Sequence, residues 1–600
     1  MTRRAFGLVA ALMLAAGAAV RINNAMVFPP LQAYDGFSHF SYIWFMADQW
    51  RVPLATTGWE FFQPPLYYAF MAALWDGLAP MDPIMRLRVG TLVIAVLGLS
   101  LAGVTLVVVR RALPDNRVAQ LAAFATMLFL PVHLYTAGFI GNENLTAVLC
   151  AWALLMTLAA LRRPTVPRAL GLGLVLGLAM LAKFTGLVVV VGALGTFALR
   201  ALVRRPARAD LRVAGIAGVV MLLVCGWFYA RNLVVYGTPF KMSRETFMLQ
   251  RYEHIQTRGE RGLLEYLLFD PMILRRPQWP RGVPLSGERF PGVPYSAVRE
   301  SVVTGLYANT WFDGYGGWTV PSIVTDDAVR RAGQLLLTLG LLPTGLMLIG
   351  VVEAVRRLAR DGWDDTIVAM LLTFGAMLAV LVQGTRSVPI HAAVKATYLM
   401  PASVVFGVWL AYGIDWITVR HPRWLRTVAA VCALACLASG LVFLQSRVIA
   451  RSYLQVWRDV PGWQNAYGVV YYAGGERDHA RMWFERAATN GHHLGYENLA
   501  SLALDDDRPL EALYYLRNAA RIQPRQCIGT PADQAQFNLL TRAEYLNTMA
   551  VIYHRLGWAV AARAAAQEAV AADPALPEAA YDLAVLSLTD AVARTGPRQD

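Results

Sequence analysis

Residues 89–109 read VGTLVIAVLGLSLAGVTLVVV, and residues 118–140 form a second stretch of the same kind. The two stretches hold 21 and 23 residues, and neither contains an Asp, Glu, Lys or Arg. A helix needs about 20 consecutive apolar residues to cross the hydrocarbon core of a bilayer. Both stretches therefore predict transmembrane helices, and the fold class they predict is an all-α polytopic membrane protein.

The composition of the 600-residue chain supports this prediction. Apolar residues make up 56% and charged residues 16%, whereas charged residues are about 25% of a typical soluble domain. These values exclude a soluble cytosolic enzyme, a secreted mini-protein and a disordered chain. The net charge of +14 does not indicate a nucleic-acid partner. Residues 451–600 carry 14 Arg against 17 acidic residues, so the basic surplus lies in the membrane part, where short loops use it for orientation.

Eleven stretches are candidate spans: residues 5–22, 89–109, 118–140, 145–161, 169–182, 184–199, 213–230, 332–352, 367–385, 396–414 and 427–445. Residues 64–79 are shorter, begin with two prolines and contain Asp76. If they do not cross, six arginine clusters (residues 3–4, 110–117, 162–168, 200–212, 356–360 and 420–426) face one side. The positive-inside rule makes that side the cytoplasm. If they do cross, five of the six clusters move outside, so we predict a juxtamembrane or re-entrant helix at residues 64–79.

The expected location is the bacterial inner membrane, and the topology predicts a cytoplasmic N-terminus. The membrane domain is predicted at residues 1–446, with outer loops at 23–88 and 231–331, and an extracytoplasmic domain at 447–600. A cleavable signal peptide is the alternative for residues 5–22, because two Arg precede an apolar core that is followed by small residues. The segment after residue 22 is outside in either case.

The tail predicts paired amphipathic helices. Three units align loosely, at residues 463–491, 493–524 and 543–574, and a fourth begins at Pro577. Small residues at helix-crossing positions, an internal Leu-Gly turn and a closing proline resemble tetratricopeptide repeats. Such repeats stack into an α-solenoid whose concave surface binds peptides or protein partners. A docking module is therefore predicted, and a helical bundle without repeat geometry is the alternative.

The first outer loop contains an acidic residue that is a candidate for catalysis. Asp35 follows the first span by about 13 residues, and His39 lies at i+4, on the same face if the segment is helical. A carboxylate held just outside the bilayer among aromatic residues could act as general base on an acceptor hydroxyl. The alternative is an interfacial helix that Asp35 caps and whose aromatic residues belong to the membrane belt.

Other polar residues are predicted at the same face of the membrane. Glu143 stands at the outer start of a span, Lys183 lies where two short spans meet, and Arg231 and Asn232 follow a span directly. Lys395 and Tyr398 begin another span. Carboxylates beside cations suit a reaction with an anionic leaving group, because the cations stabilise the charge that develops on it. Each cation alone could instead be a snorkelling belt residue.

These motifs together resemble the GT-C superfamily of polytopic glycosyltransferases. This group includes protein O-mannosyltransferases, aminoarabinose transferases and lipopolysaccharide glycosyltransferases. The elements that carry the resemblance are Asp35 in the first loop, the run QPPLYY from Gln63, the Asn142-Glu143 pair, the stretch ending at Lys183, and the run from Arg231 to Pro239. The resemblance covers about residues 1–445.

The resemblance implies transfer of a sugar from a polyprenyl-phosphate donor to an acceptor hydroxyl at the extracytoplasmic face. It implies that Asp35 is the base, that Lys183 and Arg231 neutralise the lipid phosphate, and that Glu143 is a second carboxylate. His39, Gln63, Tyr67, Asn232, Lys395 and Tyr398 are the other candidate substrate-binding residues. Inversion at the anomeric carbon follows if a single base acts without a covalent intermediate. The acceptor is a glycan, lipid or protein, and the repeats are a candidate site for a protein partner.

The sequence departs from the family at two positions. Many relatives have an acidic pair in the first loop, whereas here Gly36 follows Asp35, and Lys395-Ala-Thr-Tyr398 stands where relatives often have Gly-Arg-Tyr. A divalent metal is possible as cofactor, since Asp35, His39 and Glu143 could supply ligands, but no fixed spacing indicates one. Asp313, near the end of the second outer loop, is a further candidate in a segment that could be a lid or an aromatic belt.

Two other functions compete with the transferase. A transporter or flippase would explain Lys183 between two short apolar segments, but we see no second half that repeats the first. A non-enzymatic scaffold would use the spans only to anchor the repeats, and it leaves the charged residues at the outer face unexplained.

Overall fold

The computed structural model describes residues 2–32, 34–55, 58–203, 208–241, 262–275, 277, 301–312, 327–387, 394–444, 461–522, 531–574 and 576–595. Contacts between residues divide the chain into two compact units, one made chiefly of residues 1–452 and the other chiefly of residues 453–600. Within the described ranges the regular secondary structure is helical, and no strand occurs in them.

The first unit holds helices α1 (Arg3–Val27), α2 (Gly36–Gln49), α3 (Leu66–Gly77), α4 (Pro83–Ala112), α5 (Arg117–Phe129), α6 (Pro131–Tyr135), α7 (Glu143–Arg162), α8 (Val166–Ala182), α9 (Leu187–Val203), α10 (Arg208–Tyr236), α11 (Leu263–Leu267), α12 (Val302–Trp311), α13 (Asp327–Asp361), α14 (Asp365–Ser387), α15 (Ser403–Arg420) and α16 (Leu425–Phe443). Short 3-10 segments cover Pro30–Gln32, Thr136–Gly138, Phe184–Gly186, Pro271–Leu274, Ala396–Ala402 and Pro422–Trp424.

Most of these helices are long enough to cross a membrane. In the described ranges nine helices pass by length and composition, and α5 with the following segment Pro131–Gly138 forms a further span bent by 44°. The 17-residue helix α8 is apolar but shorter. All eleven predicted spans therefore have a helical counterpart, and the prediction of an all-α polytopic membrane protein is confirmed. Helix α3 has 12 residues, or about 18 Å at 1.5 Å per residue, too short to cross, as predicted for residues 64–79.

The bend after α5 is caused by a proline, and side chains of α1 satisfy the carbonyls that it leaves unpaired. Pro131 begins α6, and proline lacks the N–H that would continue the helical ladder. The carbonyls of Met127 and Leu128 accept hydrogen bonds from the Arg21 guanidinium instead, at 2.9 and 2.6 Å. Asn24 donates to the Leu134 carbonyl at 3.0 Å. The polar residues of α1 therefore supply the partners that the broken span lacks.

Contacts between helix ends bring the described residues of the six arginine clusters to one end of the first unit. These contacts join Arg110 to the Phe6 ring, Asn116 and Arg357 to Asp415, Arg420 to Glu353, and Arg200 to Asp365 and the Leu161 carbonyl. Helix α7 ends at Arg162 on this side and begins at Glu143 on the other. The predicted site residue Glu143 therefore lies at the end opposite the arginines.

Helices α13 and α15 cross at very short range. A Cβ atom at Gly350 would lie 1.8 Å from the Trp409 carbonyl oxygen, and one at Gly413 would lie 2.0 Å from the Leu346 carbonyl oxygen. Only glycine allows two helix backbones to approach this closely, a device common between membrane helices. One glycine lies on each helix, Gly350 on α13 and Gly413 on α15, and together they define where the helices cross.

The second unit consists of consecutive helix pairs. Its helices are α17 (Pro461–Ala473), α18 (Arg477–Thr489), α19 (His493–Asp505), α20 (Pro509–Arg521), α21 (Pro531–Arg555), α22 (Ala559–Ala572) and α23 (Pro577–Thr595). The turn within each of the first three pairs has a residue with positive φ, namely Gly475, Asp507 and Gly557. Buried alanines such as Ala480, Ala512 and Ala562 let the paired helices approach. The first two helix pairs match the predicted units, whereas α21 begins at Pro531, 12 residues before the predicted third unit. Tetratricopeptide geometry and partner binding stay predictions.

Candidate active site

Asp35 immediately precedes α2 and adopts a left-handed backbone, with φ 53° and ψ 21°. This conformation is uncommon for residues other than glycine, although Asp tolerates it better than most. Asp35 occupies the N-cap position of α2, as in the alternative of a helix cap, but its carboxylate makes no capping hydrogen bond to the helix. Its Oδ2 instead lies 2.9 Å from Nζ of Lys395. The turn thus directs the carboxylate towards a cation 360 residues away in the sequence.

Lys183 forms a second ion pair. It follows the last residue of α8 and precedes a 3-10 turn, where the chain reverses into α9. Its Nζ lies 2.8 Å from Oε1 of Glu143 and donates to Oδ1 of Asn142 at 3.0 Å. The Lys183 and Glu143 side chains are 6% and 19% exposed, so the pair lies largely out of water. The Nζ also stands 5.6 Å from the ring centre of Tyr398.

A chain of buried amides joins this ion pair to the first outer loop. Asn142 Nδ2 donates to Oε1 of Gln63 at 3.3 Å, and Gln63 Nε2 donates to Oε2 of Glu60 at 3.0 Å. Glu60 is 6% exposed. Sequence analysis missed Glu60, although an acidic residue between Trp59 and Phe61, three positions before Gln63, was a usable signal.

The tyrosines of the QPPLYY run are fully buried and hold the loop together. The Tyr67 hydroxyl accepts a hydrogen bond from the Gly141 N–H at 2.9 Å. The Tyr68 hydroxyl lies 2.8 Å from Nδ1 of His39, and the Tyr68 ring stacks on Tyr42 at 3.7 Å. Tyr67 therefore positions the turn before Glu143, and Tyr68 orients His39.

The electrostatic surroundings give the site residues different protonation states. Partial desolvation would raise the pKa of Asp35, whose side chain is 34% exposed, but the attraction and hydrogen bond of Lys395, with help from His39 and Lys183, hold that pKa below its ordinary value. Burial lowers the pKa of His39 to about 4, despite the attraction of Glu143 and Asp35. Burial, reinforced by the Asp35 charge, raises the pKa of Glu60 to about 8. At neutral pH, Asp35 is therefore ionised, His39 neutral and Glu60 protonated.

Arg231 and Asn232 make hydrogen bonds to backbone carbonyls. The Arg231 guanidinium donates to the carbonyls of Val52 and Pro53 at 3.3 and 2.7 Å, and Asn232 donates to the Pro239 carbonyl at 3.4 Å. The Tyr236 hydroxyl accepts from the Ala55 N–H at 2.7 Å. The hydrogen bonds described for this run therefore anchor the first outer loop to α10 and involve no carboxylate.

The described residues include no group of three or more His, Cys, Asp or Glu arranged to hold a metal ion. Lysine ammonium groups contact the two carboxylates that were candidate ligands, Asp35 and Glu143, and Nδ1 of His39 lies 2.8 Å from the Tyr68 hydroxyl. Asp313, the remaining candidate, lies outside the described residues.

No protein-family model matches the chain, and no curated protein matches it either. Among solved structures, the chain is similar to ArnT from Cupriavidus metallidurans in the apo state, with 15% identity, 88% of this chain and 90% of that chain covered, and a TM-score of 0.41. It is also similar to the same protein bound to undecaprenyl phosphate, with 15% identity, coverage of 83% and 80%, and a TM-score of 0.39. Likeness at this level does not define a family for the chain.

Proposed function

We propose that the chain is an integral-membrane glycosyltransferase. It transfers a sugar from a polyprenyl-phosphate donor to an acceptor hydroxyl at the extracytoplasmic face of the bacterial inner membrane. The observation that carries the proposal is the pair of adjacent ion pairs, Asp35–Lys395 and Glu143–Lys183, at the helix ends opposite the arginine clusters. The positive-inside rule places the arginine end in the cytoplasm and this site outside.

The chemistry requires a base and a site for the leaving phosphate. The acceptor oxygen attacks the anomeric carbon, and its proton passes to the Asp35 carboxylate. The bond between the anomeric carbon and the phosphate oxygen breaks, and its electron pair leaves with the polyprenyl phosphate. Lys183 and Lys395 stabilise the charge that grows on this oxygen, an effect that is strong where water is scarce. With one base and no covalent intermediate, the configuration inverts.

The resting ion pairs suggest how the donor activates the base. In the free protein each lysine neutralises a carboxylate, so the two lysines, Asp35 and Glu143 sum to zero charge. A donor phosphate competes for the lysines and draws Lys395 away from Asp35. The carboxylate then becomes a stronger proton acceptor, because the attraction that lowered its pKa is weakened. Asp35 is thus activated only when the donor is present.

The remaining predicted residues have supporting roles in this proposal. Asn142 and Gln63 orient Lys183, Tyr67 and His39 shape the loop, and Tyr398 covers Lys183. Arg231 holds the loop that closes one side of the site and is not required to contact the phosphate. The second unit is a docking module for a protein or glycan acceptor, consistent with its exposed aromatic residues Tyr514, Trp558 and Tyr581.

Release of the lipid product tests this function. Purified protein in nanodiscs is incubated with polyprenyl-phosphate sugars and an extract that contains candidate acceptors. Chromatography then follows the formation of free polyprenyl phosphate together with a glycosylated product. We expect both products to form in equal amounts. Movement of the intact donor across a proteoliposome membrane, without cleavage, would instead identify a transporter.

A further inference from the structure

Glu60 is a buried carboxyl group that the proposed reaction does not use. Its side chain is held at one end of the chain of hydrogen bonds through Gln63 and Asn142 to Lys183. A carboxyl group that is 6% exposed cannot rely on water to stabilise a negative charge, so it ionises only at a large cost in free energy. Solvation of a surface loop therefore does not explain why an acidic residue stands at this position.

The charged and titratable groups that face Glu60 come from several elements. Asp35 before α2, Lys183 after α8 and Lys395 before the segment Ala396–Ala402 all interact with it electrostatically. The phenol groups of Tyr68 on α3 and Tyr398 also lie within its influence. Glu60 therefore shares the electric field of the two lysines that would bind the donor phosphate.

Its protonation state fixes the net charge of this cluster. With Glu60 neutral, Asp35 and Glu143 balance Lys183 and Lys395, and the net charge is zero. With Glu60 ionised, the cluster carries one negative charge before any ligand arrives. That charge would repel a phosphate and would compete with it for both lysines.

We propose that Glu60 controls acceptance of the donor phosphate: the site binds a phosphodiester anion only while Glu60 is a carboxylic acid, and binding at alkaline pH takes up one proton. This inference rests on the proposed function, because it assumes that the lysines bind a lipid-linked phosphate. The sign follows from linkage. Burial and the Asp35 charge raise the pKa of Glu60 to about 8, and a bound phosphate raises it further, so affinity is constant below that pH and falls above it.

Methyl farnesyl phosphate is a suitable probe, since a phosphodiester keeps a single negative charge across the range of interest. Its Kd for the full chain in nanodiscs is measured by microscale thermophoresis from pH 6.5 to 9.5. We expect wild-type affinity to fall on the order of tenfold between pH 7 and 9.5. Glu60→Gln should keep the neutral-pH affinity and lose the alkaline fall. Asp76→Asn removes an exposed carboxylate at the end of α3 and should behave as wild type.

The outcomes separate the two proposals. If the affinity of Glu60→Gln still falls at alkaline pH, the lysines or another group cause the fall. That result overturns the proposal for Glu60 and leaves the proposed function standing. Failure of the wild type to bind the probe at any pH overturns the donor site and this inference together. If Glu60→Gln does not fold, calorimetry of the wild type in two buffers of different ionisation enthalpy at pH 8 decides. Proton uptake on binding is expected, and its absence would overturn the proposal.

Discussion

At the scale of single residues, the left-handed turn at Asp35 determines what the first outer loop can do. Asp35 has φ 53°, and its side chain makes no capping hydrogen bond, so another contact must offset the free-energy cost of this backbone conformation. Strained backbone of this kind clusters at functional sites. Here the compensation is the ion pair with Lys395. The same pair holds the pKa of the Asp35 carboxyl below its ordinary value.

Replacing Lys395 should therefore move the pH dependence of the reaction. In Lys395→Met, Asp35 loses the attraction and the hydrogen bond that lower its pKa, so the pKa of the base rises. The acid limb of kcat/KM for the donor should shift to higher pH, by on the order of one unit, in addition to weaker donor binding. Lys241→Met removes the one lysine of the chain that is outside the two ion pairs, and the acid limb of kcat/KM should stay at its wild-type pH. If the acid limb of kcat/KM is unshifted in Lys395→Met, Asp35 is not the group whose pKa sets that limb.

Residue types and order predicted part of this site. Lys183 was noted because charged groups near hydrocarbon are rare and costly. Asp35 was noted as a loop carboxylate among aromatic residues, and Glu143 and Lys395 because they begin predicted spans at the outer face. The sequence could not show which carboxylate pairs with which lysine, since Asp35 and Lys395 meet only through the tertiary fold. Glu60 was missed although its position before Gln63 offered a signal, because only the fold shows that it is buried. The hydrogen bonds of Arg231 to loop carbonyls depend on the path of residues 52–53, which no pattern reveals.

At the scale of helices, length and hydropathy located the spans well, because the bilayer thickness imposes both. The break between α5 and α6 was not predicted, although Pro131 was visible within residues 118–140. Its accommodation depends on Arg21, whose side chain reaches the freed carbonyls. A hydropathy pattern would have treated Arg21 as a snorkelling residue at the end of the first span.

The crossing of α13 and α15 yields a stability prediction. Gly350→Ala would place a methyl group against the Trp409 carbonyl, so the helices must separate and the free energy of unfolding should fall by about 1–3 kcal/mol. Gly345→Ala, on the same helix with no atom within 4 Å of the added Cβ, is the matched control. Thermal unfolding followed by size-exclusion chromatography measures both variants. Equal stability of the two would show that the crossing is looser than described.

At the scale of the whole molecule, the arrangement of charge defines two ends of the membrane unit. Six arginine clusters share one end, and the two ion pairs lie at the other. The arginines were predicted to share a side from their order along the chain, and the contacts between helix ends agree. Which end faces the cytoplasm follows from the positive-inside rule alone and can be measured directly.

Cysteine labelling tests this orientation. In a background without the five native cysteines, Pro80→Cys and Arg163→Cys place reporters after α3 and after α7. A membrane-impermeant maleimide should label position 80 in intact cells and position 163 only after lysis. The reverse pattern would put the ion pairs on the cytoplasmic side and overturn the proposed location of transfer.

The second unit makes a separate prediction. If residues 463–600 dock the acceptor, their deletion should leave slow hydrolysis of the donor largely unchanged, because the ion pairs lie within the first unit. Transfer to a protein or assembled-glycan acceptor should fall at least on the order of tenfold, the scale of a lost binding contribution. Parallel loss of both activities, with the truncated protein still folded, would contradict a docking role.

The central claim is that the Asp35 carboxylate is the base of a sugar transfer. Its most direct test is single-turnover transfer from a labelled polyprenyl-phosphate sugar by Asp35→Asn, with Asp76→Asn as control. Because positioned bases contribute about 10²–10⁴-fold, we predict a loss of at least 100-fold in rate for Asp35→Asn, unchanged or tighter binding of methyl farnesyl phosphate, and wild-type behaviour of the control. Transfer by Asp35→Asn at the wild-type rate would contradict the account.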